Sequence, residues 1–368
     1  MTSGDTRDKV GVVIESGQQF IKLDQETPRE AVIRMAGGFA MTQVLHTAVL
    51  GGIPDFMADR SCSVGEMATA LGFKAGALER FLRMMVVLDL LVQVGAKSFQ
   101  LSPTGQLLRS DHPQSMRGRI VYIGAVNYPV AAAAVHSLST GETAFEHVFG
   151  VPFFEHLADN SDLGTAFNGL MQQSIEARVG SLLEVSDFTK IRSMVDIGGG
   201  NGALLAAILE VAENCTGIIF DQPAVLAEAR SKFRGCPTEE RVKFVEGDLF
   251  AGPYPVGADR YVLSNIIHDW EDDEAETILQ NCCQAMRNDS ELFLIEETLP
   301  ELVIESPSTI ANDYSMLLLT GGKERTEVQY RDLLNRSGLT LSKVTPFAAH
   351  NNNRPQKGRW AIMHCHAK

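Results

Sequence analysis

Apolar positions follow two different periods along this chain of 368 residues. Up to about residue 185 they recur every three or four residues, which is the period of helices that bury one face. From about residue 190, short β-rich apolar runs alternate with helical stretches. The change of period predicts two regions, residues 1–185 and residues 186–368.

The first region contains a helix, a turn, a second helix and a pair of strands. Ser63–Glu66 has the form of a capping box, in which a hydroxyl and a carboxylate satisfy the first free amides of a helix. Gly72 ends that helix, and Ala77–Leu91 predicts a second, very apolar one. Leu91–Val94 and Phe99–Leu101 predict two short strands around a turn. This order is typical of a winged helix.

Many winged helices bind DNA, and residues 28–120 carry a slight excess of basic side chains. The helix that would enter the DNA groove is, however, predicted to be apolar on all sides. Such a helix belongs in a core or in a subunit interface. The formal net charge of −14 also disfavours nucleic acid and anionic membranes as partners. We therefore expect a homodimer interface in this region.

The second region predicts an open α/β sheet. Five strands are expected at Ser193–Ile197, Gly217–Phe220, Val242–Val245, Arg260–Asn265 and Glu291–Ile295. Three helices are expected at Ala203–Ala212, Ala224–Phe233 and Asp272–Met286. The alternation implies parallel strands with helices on both faces.

The chain ends differently, with two strands and no helix between them. Thr340–Phe347 and Arg359–His366 are separated by the polar stretch Ala348–Gly358, which we interpret as a loop. Two strands joined in this way form a hairpin, so an antiparallel strand finishes the sheet. This ending favours a methyltransferase over a dinucleotide dehydrogenase.

A glycine-rich loop lies between the first strand and the first helix of this region. Gly198, Gly200 and Gly202 are spaced G-x-G-x-G, and Asp196 precedes them. Glycine lets the backbone turn sharply and approach a ligand closely. A dinucleotide site commonly has G-x-G-x-x-G, and a carboxylate at its start would repel a pyrophosphate. The loop therefore favours a cofactor that carries an ammonium group and a sulfonium.

Carboxylates also follow the second and third strands. Asp221, next to Gln222, is placed to accept both hydroxyls of a ribose. Asp248 is placed to accept from an adenine amine, and Leu249 to cover one face of the ring. Open α/β sheets bind ligands at these strand ends, so we expect all four residues at the cofactor site.

With these motifs the chain resembles the small-molecule O-methyltransferases that include the caffeate and hydroxyindole enzymes of plants and bacterial enzymes of antibiotic tailoring. The similarity extends to Gly51–Phe56 and Phe99–Gly105. It implies a Rossmann-like class I methyltransferase domain, with a mostly parallel seven-stranded sheet and a terminal antiparallel strand. It also implies a mainly helical, winged-helix-like dimerisation domain, and S-adenosylmethionine as the cofactor. Ser264 is implied to contact the cofactor, although the plant members have a lysine there.

The resemblance places the catalytic histidine after the fourth strand, in Ser264–Trp270, and two carboxylates that orient it further along the chain. His268 matches the family's catalytic base, which removes the proton of the acceptor hydroxyl. Glu296 and Glu324 match the two carboxylates that orient the imidazole. Glu297 is the adjacent candidate for the same role as Glu296. Strand alternation puts the two on opposite sides, and the family's register favours Glu296.

The acceptor pocket is implied to be lined by two helical segments. Phe167, Met171, Asp313 and Met316 are its expected contacts. Methionine would hold a flat ring without dictating its shape. An ordinary core position is an equally good interpretation of Met171 and Met316.

Composition adds few constraints. The chain has six cysteines and no C-x-x-C pair, and we expect reduced, mostly buried thiols, no metal site and a cytoplasmic protein. No secretory signal and no apolar run of about 18 residues is apparent.

The preferred function is O-methylation of a small aromatic molecule. The alternatives are N-methylation, a relative that retains the cofactor for hydroxylation or decarboxylation, and a DNA-binding regulator.

Overall fold

The computed structural model describes residues 26–351 and 354–368, and the part before residue 190 is mainly helical. Its helices are α1 (Pro28–Ala36), α2 (Gly38–Leu50), α3 (Ile53–Met57), α4 (Val64–Leu71), α5 (Ala75–Val87), α6 (Pro103–Gln106), α7 (Arg117–Tyr122), α8 (Tyr128–Ala132), α9 (Ala134–Thr140), α10 (Ala144–Phe149), α11 (Phe153–Asp159) and α12 (Ser161–Val185). A π-helical turn, Ile123–Asn127, joins α7 to α8. The strands β1 (Cys62–Ser63), β2 (Leu91–Gly95) and β3 (Ser98–Leu101) form an antiparallel sheet in the order β1-β3-β2.

The capping box at the start of α4 is confirmed. Ser63 Oγ accepts from the amide of Glu66 at 3.2 Å, and the Glu66 carboxylate accepts from the amide of Ser63 at 2.7 Å. Gly72 ends the helix with a φ of 74°, which is the left-handed conformation that glycine adopts without strain. With α5 and the β2–β3 hairpin, these elements make up the expected winged-helix-like arrangement.

The expectation that α5 is apolar on all sides was wrong. The helix ends at Val87, and Leu78, Leu82 and Met85 pack into the core. Arg80 and Arg83 are exposed on the other side. Side chains three and four residues apart share one face of a helix, so the charged residues collect away from the apolar ones. The helix is therefore amphipathic.

The second part of the chain alternates strands with helices as predicted. Its elements are β4 (Ser193–Ile197), α13 (Ala203–Val211), β5 (Thr216–Asp221), α14 (Pro223–Phe233), β6 (Val242–Glu246), β7 (Arg260–Ser264), α15 (Asp272–Ala285), β8 (Glu291–Glu297), α16 (Pro307–Leu319), α17 (Glu327–Arg336), β9 (Leu339–Asn351) and β10 (Arg354–Ala367). Short 3-10 turns occur at Glu239–Arg241, Ile267–Asp269 and Val303–Glu305.

These strands form one seven-stranded sheet in the order β6-β5-β4-β7-β8-β10-β9. The five strands from β6 to β8 pair in parallel, and β10 pairs antiparallel with both β8 and β9. The predicted class of sheet is thus confirmed. The antiparallel strand does not lie at the edge, however, because β10 inserts between β8 and β9.

The predicted loop Ala348–Gly358 was wrong for most of its length. Strand β9 continues to Asn351, and β10 already begins at Arg354. The pairing reaches Arg354 opposite Asn351 at the tip of the hairpin. Backbone hydrogen bonds between two strands do not depend on apolar side chains, so a polar sequence continued as a ladder beyond the core.

Helices cover both faces of the sheet, and alternate side chains of each strand enter different layers. In β8, Phe293 and Ile295 pack with α12, α13 and α14, whereas Leu292 and Leu294 pack with α15 and α17. The same alternation directs Val262 to the first layer and Leu263 to the second. A strand buried on both faces has an almost continuous apolar sequence, which explains the pattern of this region.

The described residues separate into two units. One comprises residues 26–132 with Asn160–Leu170, and the other comprises Ala133–Asp159 with Met171–Lys368, apart from residues 352–353. The predicted boundary at residue 185 separates a dimerisation domain from a cofactor-binding catalytic domain, and it stays a prediction. All the expected catalytic and cofactor-binding residues belong to the second unit.

We expect Gly105→Ala to destabilise the protein by about 1–3 kcal/mol, the usual cost of overpacking. A methyl group at Gly105 would overlap the backbone carbonyl of Leu90. Gly65→Ala is the matched control, because Gly65 lies in α4 with nothing within 4 Å of the added carbon, and alanine is the better helix former. Urea denaturation followed by circular dichroism measures both. Equal stability of the two variants would contradict the packing of α6 against the backbone of Leu90.

Candidate active site

The expected cofactor-binding residues, together with His268 and Glu296, lie at the carboxyl ends of β4, β5, β6, β7 and β8. From β4 the chain proceeds to β5 and β6 on one side, while β7 and β8 lie on the other side. The sheet order therefore reverses between β4 and β7, and open α/β sheets bind ligands at such a point.

The glycine-rich loop leaves β4 at this point. Gly198, Gly200 and Gly202 all have positive φ, of 66°, 59° and 77°. A side chain at Gly202 would meet Ile219 and Phe233, so this glycine is required for packing. At Gly200 nothing lies within 4 Å of an added carbon, so the loop presents an open backbone there.

Asp221 holds the loop in this shape. Its Oδ2 accepts from the amide of Gly200 at 2.8 Å, and its Oδ1 accepts from the amide of Gln222 at 2.7 Å. A carboxylate has about four acceptor positions, so two remain for a ligand. Asp248, after β6, accepts from the amide of Phe250 at 2.7 Å and is exposed, while Leu249 beside it is half-buried.

Asp196 is the most buried of the expected cofactor residues. It is 2% exposed, and its Oδ2 has no hydrogen-bond partner within the described chain. Its neighbours across the sheet, Ile219 and Val262, are apolar. Burial, with a smaller contribution from Asp221, raises the pKa of Asp196 to about 7. A buried, incompletely bonded carboxylate is costly, so this one calls for a cationic partner.

Ser264 ends β7 and accepts a hydrogen bond that sequence analysis did not foresee. Nη2 of Arg178, on α12, donates to its Oγ at 3.1 Å. Arg178 is only 4% exposed. The signal in the sequence was a single arginine between Ile175 and Leu182, both of which pack in the apolar layer under α12. A charged residue inside such a helical stripe is seldom tolerated without a function or a partner.

His268 lies on the 3-10 turn that follows β7. Its Nδ1 is hydrogen-bonded to Glu324 Oε1 at 2.9 Å, and Glu296 Oε2 lies 3.8 Å from the same nitrogen. On the other side, Asp269 is 3.8 Å from Nε2. No hydrogen bond to Nε2 is present among the described residues. The structure thus brings the three expected catalytic residues together, with Glu324 in direct contact.

Glu296 lies beside His268, as expected, and it has a second set of contacts. Its Oε1 accepts from the amides of Ile266 and Ile267, at 3.1 and 2.9 Å, and so supports the turn that carries His268. Glu297 projects into the opposite layer, where it is hydrogen-bonded to Thr309. Strand alternation therefore separates the two carboxylates as predicted.

The protonation of His268 is set by its surroundings. Burial by itself lowers the pKa of the imidazole, but the negative charges of Glu324, Glu296 and Asp269 outweigh it and hold the pKa well above its usual value. Burial raises the pKa of Glu324 to about 7, against the opposing effect of His268. Groups this close titrate as one set, so the protonation of His268 and that of Glu324 are coupled.

Two further residues fix the segment of Glu324 against the turn that carries His268, and neither was predicted. Arg325 is buried and donates to the carbonyls of Ile267 and Trp270, at 3.0 and 2.8 Å, and also to Asp272. Gly322 is required because a side chain there would overlap the carbonyl of His268. The sequence signal was their position beside Glu324, in the stretch Gly321–Thr326.

The expected acceptor contacts are distributed over both units. Phe167 belongs to the first unit, where its ring lies 5.7 Å from that of Tyr122. Met171 and Met316 are half-buried residues of the second unit. Asp313 has a visible structural contact, since its Oδ1 accepts from the amide of Glu324 at 2.9 Å. It thereby helps to position the partner of His268.

Within residues 26–351 and 354–368, no group of His, Cys, Asp and Glu side chains is arranged to hold a metal ion. In the same residues no single helix is long and apolar enough to cross a membrane. One bent pair, Arg117–Ala132 with Ala134–Thr140, meets the criteria of length and composition when the two helices are taken together.

Two family models match the chain. An O-methyltransferase domain matches residues 129–340, and an O-methyltransferase dimerisation domain matches residues 33–111.

Individual proteins with known activities are similar over most of the chain. A phenazine O-methyltransferase, PhzM, of Lysobacter antibioticus is 34% identical over 86% of this chain and 93% of the relative. An 8-amino-8-demethylriboflavin N,N-dimethyltransferase of Streptomyces davaonensis is 32% identical over 88% of this chain and 90% of the relative. The crystal structure of the O-methyltransferase NcsB1 from neocarzinostatin biosynthesis, in complex with S-adenosyl-L-homocysteine and 1,4-dihydroxy-2-naphthoic acid, superposes with a TM-score of 0.80. It is 27% identical and covers 91% of this chain and 98% of that one.

We expect the pKa of His268 in the ligand-free protein to lie above that of an ordinary histidine. We expect Glu324→Gln to lower the pKa of His268. Removal of the nearest negative charge disfavours the imidazolium. The measurement is a histidine NMR titration, with the His268 signal identified by its loss in His268→Ala. Glu291→Gln is the control, because Glu291 pairs with His364 instead. An unchanged His268 titration in Glu324→Gln would contradict the observed contact.

Proposed function

The chain belongs to the family of S-adenosylmethionine-dependent O-methyltransferases, and on that premise we propose that it methylates a hydroxyl group of a small aromatic molecule with His268 as the general base. The acceptor class we propose is an aromatic natural product, such as a phenazine or a polyketide. The observation that carries the proposal is the imidazole of His268, which is held through Nδ1 by Glu324 while no hydrogen bond to Nε2 occurs within the described residues.

The strand-end residues fit this cofactor. Asp196 has a buried oxygen without a partner, Asp221 retains free acceptor positions, and Gly200 leaves open space at the loop. We assign Asp196, Asp221, Asp248 and Ser264 to the polar contacts of the cofactor. We assign Gly198 and Gly200 to the loop that encloses it, and Gln222 and Leu249 to its adenosine part. When bound, S-adenosylmethionine supplies a methyl group that positive sulfur has made electrophilic.

The protein's own part in the reaction is to align the acceptor and to take its proton. A phenol has a pKa near ~10, so at neutral pH a base beside its oxygen is needed. The hydrogen bond from Nδ1 to Glu324 selects the tautomer whose Nε2 carries a free lone pair. The same carboxylates stabilise the imidazolium that forms. The positive sulfur of bound S-adenosylmethionine would favour the neutral imidazole before the reaction, because a nearby positive charge disfavours protonation of His268.

We assign Glu324 as the residue that orients His268, and Glu296 as the support of its turn and a second negative charge. Phe167, Met171 and Met316 are proposed to contact the acceptor, and Asp313 to position Glu324 at the pocket. In this proposal apolar side chains align the acceptor, and such side chains suit a flat ring.

Transfer to nitrogen is a second candidate function, favoured by the similarity to the riboflavin dimethyltransferase. An aromatic amine needs its proton removed only after transfer, so a general base matters less there. Turnover of radiolabelled cofactor with paired phenols and anilines of the same ring system separates the two. Methylation of the anilines alone would exclude the O-transfer proposal.

We further propose that residues 1–185 form a homodimer interface and that residues 186–368 bind the cofactor and perform catalysis. The matched dimerisation domain supports this division. So do the exposed apolar side chains of α1 and α2, which are Val32, Ile33, Met35, Phe39, Met41 and Leu50. An exposed apolar patch of this kind is typical of an interaction surface.

We expect His268→Ala to lower turnover by about 10²–10⁴-fold, the contribution of a positioned general base. Single-turnover rates against pH are measured for both proteins with an acceptor that is protonated at neutral pH. The affinity for S-adenosylhomocysteine, by calorimetry, is expected to stay nearly unchanged. With an acceptor that is already ionised, the loss is expected to shrink to a few-fold. An unchanged rate and pH profile with the protonated acceptor would overturn the assignment.

We expect light scattering to give about twice the chain mass of 40.1 kDa. Ile33→Glu with Phe39→Glu is expected to give monomers, because two charges would be buried in the apolar contact. Val256→Glu is the matched control, since Val256 is an exposed apolar residue of the second unit. A monomeric native protein at micromolar concentration would refute the dimer. A double variant that stays dimeric would place the interface elsewhere.

A further inference from the structure

Arg178 is a buried cation with incomplete bonding. Its guanidinium stacks over the ring of Trp360 at 4.0 Å from the centroid, and Nη2 donates to Ser264. Nη1 is buried and has no acceptor in the described part of the chain. Among the described residues no carboxylate forms an ion pair with Arg178. Burial lowers its pKa to about 10, so it keeps its charge at neutral pH.

Such a group is expensive unless an anion completes it. The charges of Glu296 and Glu297 favour the charged form of Arg178, but no hydrogen bond to either carboxylate occurs among the described residues. A charge-assisted hydrogen bond to Nη1 would recover part of the cost of burial. Because Arg178 is 4% exposed, its guanidinium has little access to bulk water. A ligand with an anionic group is therefore the natural partner of Nη1.

Asp196 shows the opposite deficiency on the same face of the sheet. Alternation directs Asp196, like Met194, towards the layer under α12, and it directs Ser264 there as well, like Val262. Helix α12 also reaches the glycine-rich loop, because Gln172 accepts from Asn201 at 2.9 Å. An anionic acceptor without a partner and a cationic donor without a partner thus border the same strand ends, at β4 and β7.

These two deficiencies match the amino-acid end of the cofactor. Its α-ammonium group is a cation with three donors, and its α-carboxylate is an anion with free acceptor positions. We propose that Asp196 binds the α-ammonium group of S-adenosylmethionine, and that Arg178, with Ser264, binds its α-carboxylate. Arg178 is then a cofactor-binding residue that positions the methyl donor. This inference rests on the cofactor assigned under the proposed function and not on the acceptor or on His268.

The amino-acid end is also the part of the ligand that can be removed chemically. Three adenosine ligands serve as probes. S-adenosylhomocysteine has both charged groups, its decarboxylated analogue S-adenosyl-3-thiopropylamine keeps only the ammonium group, and 5′-methylthioadenosine has neither. Calorimetry without acceptor measures each affinity for the wild type, Arg178→Met and Asp196→Asn.

We expect Arg178→Met to weaken S-adenosylhomocysteine about 10- to 100-fold, the loss of one or two charge-assisted hydrogen bonds. The same variant should bind the decarboxylated analogue as the wild type does. Asp196→Asn should weaken both ligands that carry the ammonium group, and both variants should bind 5′-methylthioadenosine normally. Normal binding of that probe also shows that the variant is folded with an intact adenosine site.

Arg260→Met is the matched control. Arg260 is likewise a poorly exposed arginine over an aromatic ring, 3.7 Å from the centroid of Phe293, but it lies at the opposite end of β7. It should leave all three affinities unchanged. If Arg178→Met itself fails to fold, Arg178→Lys replaces it, and a smaller loss confined to S-adenosylhomocysteine is expected.

Three results would overturn the proposal. The first is an unchanged affinity of Arg178→Met for S-adenosylhomocysteine. The second is an equal loss for S-adenosylhomocysteine and its decarboxylated analogue. The third is a rise in the KM of a carboxylated acceptor without any change in S-adenosylhomocysteine binding, which would assign Arg178 to the acceptor. Failure of the general-base proposal would leave these binding results untouched, since no acceptor is present.

Discussion

The hydrogen bond between His268 and Glu324 joins two segments that are 56 residues apart in the sequence. His268 lies on a short 3-10 turn and Glu324 lies on a loop, so neither segment belongs to an α-helix or to a strand of the sheet. Each is fixed by contacts to its backbone: Glu296 binds the amides before His268, and Asp313 binds the amide of Glu324. Arg325 then ties the two segments together through the carbonyls of the catalytic turn. The segments that carry the imidazole and its carboxylate partner are therefore positioned largely through hydrogen bonds to main-chain atoms.

The same edge of the sheet concentrates negative charge. Its carboxylates include Asp196, Asp221, Asp248, Asp269, Glu296, Glu297 and Glu324, and its basic side chains include His268, Arg178 and Arg325. Backbone amides offset part of the repulsion, since Asp221 and Glu296 accept two each. Burial, with smaller contributions from neighbouring carboxylates, raises the pKa values of Asp196 and Glu324 to about 7. A site built in this way discriminates in favour of a ligand that carries positive charge, which S-adenosylmethionine does at sulfur and at nitrogen.

Contiguous motifs in the sequence anticipated much of this arrangement. The glycine spacing of Gly198–Gly202, the carboxylates at strand ends and the alternation at Glu296 and Glu297 all depend on local periods of the backbone. Alternating strands and helices also predicted the parallel sheet, because short connections leave few topologies. Local periodicity predicted the structure less well where contacts with other segments, or the detailed spacing of charges, decided it. The polar segment after residue 347 continued as strand, and α5 proved amphipathic, since segregation of charge on a helix needs only a few well-spaced residues.

By itself the sequence determined the class of fold, the position of the cofactor loop and the identity of the histidine at the strand end. These follow from residues that are neighbours in the chain, whose relative positions the backbone geometry sets. Only the tertiary structure decided that Glu324, rather than Glu296, is hydrogen-bonded to His268, that β10 inserts beside β8, and that Arg178 meets Ser264. Those contacts join segments 56 to 86 residues apart. Their distances depend on how whole layers pack, and no local period encodes a difference between 2.9 and 3.8 Å.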